Sequence, residues 1–157
     1  MNPQTIKNTP SIAFIHANWH EAIVLNSYHS FVESLAQRGI DKSQIDLYKV
    51  PGSLEIPLQA KLLAETGKYD IIVCAGLIVD GGIYRHDFVA STVLNAMMDV
   101  QLAANIPVLS VVLTPHHFQE HKPHLDFFSE HFKLKGREAA DACLLMLENI
   151  DNIKQLT

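Results

Sequence analysis

The run from Tyr69 to Val89, YDIIVCAGLIVDGGIYRHDFV, constrains this chain more than any other stretch. From Ile71 to Val79 it is almost unbroken in apolar residues, rich in β-branched ones and too short for a capped core helix, so it predicts a strand buried on both faces. Such strands belong to parallel sheets with helices on either side. Asp80, Gly81 and Gly82 end the run, because paired glycines allow positive φ and let a ligand approach the backbone with no Cβ in the way. A helix is expected to begin near Tyr84 to Asp87. Its free N–H groups, with Arg85 and His86 beside them, form a candidate anion site. At this level an ordinary strand-to-helix turn explains the same residues equally well.

The rest of the chain repeats the strand-to-helix alternation. Residues 1–10 read as a flexible polar arm and 11–157 as a single domain with one core. Ser11 to Ala17 predicts the first strand. A helix from about His20 to Arg38 follows, with Ile23, Val24, Tyr28, Phe31, Val32, Leu35 and Ala36 at helical spacing and Gly39 as its cap. Ile45 to Val50 alternates as a second strand, which Pro51 and Gly52 close; a helix from about Leu54 to Glu65, capped by Gly67, comes next. After the central strand a helix is expected from about His86 to Asn105. Pro107 opens a fourth strand whose apolar composition predicts burial on both faces. Thr114 to His131 reads as irregular and histidine-rich, and Gly136 to Asn149 as the last helix. Four strands alternating with four helices make a doubly wound, flavodoxin-like four-stranded parallel sheet in a three-layer α/β/α sandwich.

Composition excludes several classes. A formal net charge of −5 argues against a nucleic-acid binder that tracks phosphates. No apolar run approaches bilayer-spanning length and the first ten residues lack an apolar signal core, so a cytoplasmic protein with no membrane partner is expected. Cys74 and Cys143 lie in apolar contexts without CxxC spacing, as small buried hydrophobes of a reducing compartment do.

Ligands of doubly wound sheets bind beyond the C-terminal ends of the strands. Those ends are NWH, PGSLE, VDGGIYRHD and TPHH, which bring an aromatic ring, a carboxylate, an arginine, histidines and glycine-rich backbone to one rim. Trp19, the only tryptophan, stands where a planar ring could stack, although a core role is the commoner one for this residue. Glu55 could bind a ligand or simply face the positive end of its helix. His116, His117, His121, His124 and His131 invite a metal reading, but Pro115 and Pro123 bracket them and no zinc-site pattern appears, so no metal is expected. Lys133 and Lys135, before Gly136, suit either a solvated face or a phosphate site.

VPGSLEIP, then GLIVDGGIYRHDFV, then LKG before an alanine-rich helix closely resemble the 6,7-dimethyl-8-ribityllumazine synthases of riboflavin biosynthesis, in order and over roughly Ile12 to Asn149. The Trp after the first strand, DGGIY and HHF resemble the second bacterial type, which implies a homo-oligomer, a pentamer or a decamer of two pentamers. The resemblance implies a transferase that needs no cofactor. It joins 5-amino-6-(D-ribitylamino)uracil to 3,4-dihydroxy-2-butanone 4-phosphate, releasing water and phosphate.

Carried onto this chain, the resemblance makes Trp19 the residue that stacks on the pyrimidinedione ring. Ser53, Leu54 and Glu55 would hold that ring and its ribityl chain, and the main chain of Leu77, Ile78 and Val79 would meet the ring edge. Gly82 and Ile83 fall on the phosphate-binding turn, Lys135 on a lysine that reaches the phosphate, and Ser110 on a position lining a neighbouring subunit's pocket. The chemistry departs from the family pattern at two places. Arg85 stands where most members have a proton-transferring histidine, and the histidine here is His86; Arg cannot shuttle protons near neutrality, whereas imidazole can. Phe127 lies near the position of the usual phosphate-binding arginine. The resemblance therefore implies catalysis by His86 or by water held near Arg85, and weaker binding of the phosphorylated substrate. A second class stays open: an assembly that keeps the pocket but binds a pathway metabolite or a host partner with little turnover.

Overall fold

The first and third strands are apolar on both faces and lie at the centre of a parallel sheet between two helical layers that cover both, while the alternating second strand and the half-buried fourth form its edges. The computed structural model describes residues 9–80, 85–115, 118–119 and 121–157. The elements are β1 (Ile12–Ala17), α1 (Glu21–Ala36), β2 (Ile45–Val50), α2 (Ile56–Glu65), β3 (Ile71–Leu77), α3 (His86–Ala104), β4 (Val108–Leu113) and α4 (Lys122–Lys154), with short 3-10 turns at Lys42–Gln44 and Ser53–Glu55. The sheet order is β2-β1-β3-β4, all parallel, with Ile12 level with Ile45 on one side and Ile71 on the other.

Alternate residues of each strand feed two cores. Ile12 and Phe14 of β1 and Ile71 and Val73 of β3 face α1 and α4, where Phe31 and Phe132 are fully buried. Ala13, Ile15 and Ala17 face α2 and α3 with Ile56, Ala60 and Met97. Leu109 and Leu113 of β4 are only half-buried and Ser110 is exposed, against the expectation of burial on both faces. β4 is an edge strand, and an apolar segment reads alike whether it lies at an edge or inside.

The last helix corrects the sequence reading more substantially. α4 starts at Lys122, not Gly136, and most of the supposedly irregular histidine-rich segment is helical. Pro123 does not break it, since proline is tolerated in a first turn whose N–H groups have no helical partner. Gly136 sits mid-helix where α4 crosses α1. A Cβ there would stand 1.9 Å from the Ser30 hydroxyl oxygen and 2.2 Å from the Ser27 carbonyl oxygen, so only glycine permits this approach.

The predicted arm falls mostly on residues 1–8, and the glycine pair with Ile83 and Tyr84 on 81–84; both stretches lie outside the described residues, as do His116, His117 and Glu120.

Candidate functional site

The exits of β1 and β2 are tied together by the Asn18 N–H, which donates to the Val50 carbonyl at 2.8 Å. His20 then adopts a left-handed conformation, φ 56°, and the chain turns at once into α1. Trp19 is caught in this tight turn, cannot sink into either core, and remains 70% exposed. Its indole edge lies over Gly52. A Cβ on Gly52 would be 3.4 Å from Trp19 Cδ1 and 3.3 Å from Glu55 Oε1, so Trp19 and Glu55 flank one bare piece of backbone. Gly52 is extended, φ −150°, and glycine is needed there for space rather than for conformation.

A second glycine brings in the third strand. Ser53 packs onto Gly76 of β3, where a Cβ would stand 2.6 Å from the Ser53 hydroxyl oxygen. Leu54, beside it, is exposed. The strand end continues with Leu77 and Ile78, both buried, and Val79, half-buried; Ile78 N–H donates to the Leu113 carbonyl at 2.8 Å. Trp19, Ser53, Glu55 and the end of β3 are thus brought to one rim as the sequence predicted.

After residues 81–84, α3 opens at His86, with Arg85 as its extended N-cap residue. The Arg85 guanidinium lies 4.2 Å from the Phe88 ring centroid, and its Nη2 is 3.2 Å from Asp87 Oδ2. Partial desolvation opposes ionisation of Asp87. The Arg85 charge and the N–H groups of Asp87 and Phe88 outweigh it, and the carboxyl sits below its ordinary value.

Three predicted residues stand apart from this rim. Ser110 is level with Cys74 on the open edge of β4, its Oγ accepting from the Val112 N–H at 3.2 Å. Lys135 lies beside the α1–α4 crossing with its ammonium 3.3 Å from Glu138. Phe127 is exposed on the second turn of α4 and stacks on His131 at 5.8 Å. Gly82 and Ile83 lie outside the described residues.

Among the described residues no cluster of three or more histidine, cysteine or acidic side chains could hold a metal ion. His121 instead caps α4, and His124 Nδ1 accepts from the Gln119 N–H at 2.8 Å. Phe118 joins this group to the rim, its ring 5.2 Å from both His20 and His124 and 5.4 Å from Phe128.

Sequence reasoning missed Gly76, Phe88 and His16. Gly76 carried a signal, since a lone glycine inside a strand marks close backbone approach. His16 is buried near the end of β1, where desolvation lowers its pKa against the opposing pull of the Ala17 carbonyl and Glu21.

Residues 9–151 match the family model described as 6,7-dimethyl-8-ribityllumazine synthase. The chain belongs to this family. It is 56% identical to the 6,7-dimethyl-8-ribityllumazine synthase of Rhodococcus erythropolis over 83% of this chain and 84% of that protein. It is 52% identical to 6,7-dimethyl-8-ribityllumazine synthase 2 of Pseudomonas syringae pv. tomato, over 92% of this chain and 85% of that one. The protein of the same description from Bradyrhizobium diazoefficiens is 48% identical over 91% and 86%. As a lumazine synthase the chain is a transferase of riboflavin biosynthesis, and nothing favours the alternative of a binding assembly without turnover. Among the described residues no helix is long and apolar enough to cross a membrane.

Proposed function

We propose that the rim over β1, β2 and β3 holds 5-amino-6-(D-ribitylamino)uracil while the chain condenses it with 3,4-dihydroxy-2-butanone 4-phosphate. The observation that carries this reading is the exposed indole of Trp19 beside Glu55 over Gly52. A flat ring laid on the indole would have the Glu55 carboxylate within reach of its polar edge and the Ser53, Leu54 and Leu77 to Val79 backbone around it. Lys135, Gly82 and Ile83 would serve the phosphate, and Phe127 would line the pocket where other members carry arginine; Lys135 and Phe127, which stand apart from the rim of their own chain, would do so in a neighbour's pocket.

The chemistry asked of the side chains is modest. The 5-amino group adds to the ketone carbonyl and water leaves as an imine forms, with the barrier lowered mainly by holding the two together. Loss of phosphate and ring closure need protons moved at carbon and oxygen. His86 is assigned that transfer, and Arg85 is assigned the phosphate, for which a permanently charged guanidinium is suited.

Association supports the reading. Leu58 and Leu62 lie one turn apart on α2, as do Met98 and Leu102 on α3, and all four are exposed, an apolar display fit for a subunit interface. We assign the assembly as a pentamer or a dimer of pentamers with Ser110 facing a neighbour's pocket. The buried free thiols Cys74 and Cys143, whose pKa burial raises, to about 12 for Cys143, fit a cytoplasmic protein.

Lumazine formation from the two substrates, each varied separately, tests the roles. His86→Gln should lower turnover by roughly 10²-fold and change the acidic limb of the pH–rate profile. Arg85→Ala should chiefly raise KM for the butanone phosphate. Full turnover in His86→Gln with none in Arg85→Ala at saturating substrate would reverse the assignment.

A further inference from the structure

We propose that Phe88 is a positioning residue, the platform that orients Arg85 for the phosphorylated substrate; this rests on the assignment of Arg85 to the phosphate. Arg85 and Phe88 are three residues apart at the start of α3, a spacing that puts them on one face. The guanidinium lies 4.2 Å from the ring centroid, well inside cation–π range. Phe88 is itself 60% exposed, so filling the core does not account for a phenyl ring at this place.

The two partners of Arg85 differ in what they do when an anion arrives. Asp87 takes a guanidinium nitrogen at 3.2 Å and competes with phosphate for the same donors. Phe88, with the guanidinium carbon over its ring, offers no oxygen that would compete with phosphate for the N–H donors. Asp87 can be exchanged for phosphate while Phe88 keeps hold of the arginine. An arginine side chain that is 70% exposed would otherwise sample many rotamers, and the ring limits them before substrate binds.

The test is steady-state kinetics on the assembled enzyme. Phe88→Leu should raise KM for the butanone phosphate about 3-fold, the size of an exposed cation–π contact, with a smaller effect on kcat and none on the KM of the pyrimidine. Phe88→Tyr, which keeps a π face, should restore the wild-type value. Phe88→Met serves as a second ring-free variant, and light scattering selects the one that retains the wild-type assembly. In the Arg85→Ala background, removing the ring should add nothing. Equal rises in both KM values, or an additive effect on top of Arg85→Ala, would overturn the proposal and make Phe88 a packing residue. If Arg85→Ala raises KM and Phe88→Leu does not, only the platform fails; if Arg85→Ala leaves KM unchanged, the phosphate assignment of Arg85 fails with it.

Discussion

Replacing Trp19 by Ala separates a ligand platform from a structural tryptophan, because the two roles predict opposite balances of stability and affinity. Trp19 is 70% exposed, so a side chain of about 250 Å² has about 75 Å² covered. At about 25 cal/mol per Å² that burial stabilises the fold by at most about 2 kcal/mol, and less with a compact unfolded chain as reference. A ring stacked on the indole gains about 1 to 3 kcal/mol by analogy with bases on aromatic side chains, which is roughly a 5- to 150-fold change in Kd. Trp19 is the only tryptophan, so quenching of its fluorescence by 6,7-dimethyl-8-ribityllumazine reports binding in the wild type. Calorimetry supplies Kd for the variant, and a urea midpoint its stability. The expected outcome is weakened binding by a folded protein. A variant with unchanged affinity, or one that loses far more than 2 kcal/mol of stability, would return Trp19 to a structural role and remove the stacking surface from the site.

Other expectations concern the scaffold. Gly136→Ala gains about 1 kcal/mol of helix propensity but drives a methyl group into the Ser27 carbonyl, which no rotamer change can relieve; the urea midpoint should report a net loss of about 2 kcal/mol. An unchanged or raised midpoint would mean that α1 and α4 do not cross there as closely as 2.2 Å implies. Burial lowers the His16 pKa, so below the ordinary histidine value the unfolded chain takes up a proton more readily than the folded chain does. Stability should therefore fall as pH drops from about 6.5 towards the lowered folded pKa and level off below it; His16→Gln should remove that slope from a plot of urea midpoint against pH, and a slope that persists assigns it to other histidines.

The sheet was legible because its information is local. β1 and β3 are each apolar enough to require cover on both sides, β2 alternates as an edge strand does, and Gly39 and Gly67, at φ 86° and 72°, end α1 and α2 where a left-handed residue is needed. Trp19, Glu55 and the end of β3 were placed on one rim by topology alone, since every parallel strand delivers its C-terminal residues to the same edge. What was not legible depends on contacts remote in sequence. Gly136 looks like a helix start until α1 is seen against it, and Pro115 and Pro123 look like brackets around a loop until Pro123 proves to be in a first turn. The Phe88 platform escaped notice for a related reason. Arginine and phenylalanine at i and i+3 are common on surfaces, and only the 4.2 Å approach distinguishes this pair.

Ser110 shows why the site and the assembly have to be considered together. It lies two strand spacings from β1, about 10 Å, and three residues before the end of β4, about another 10 Å below the rim. No side chain as short as serine spans that gap to a ring seated on Trp19 of the same chain. Yet Ser110 is exposed on an open edge, where a neighbouring molecule can reach it. In the proposed arrangement each pocket takes its aromatic floor and carboxylate from one subunit and the Ser110 wall from the next, a head-to-tail contact that closes only as a ring. Ligand binding and subunit association then share one free energy: whatever binds across the joint favours the assembled state, and whatever loosens the ring weakens the ligand.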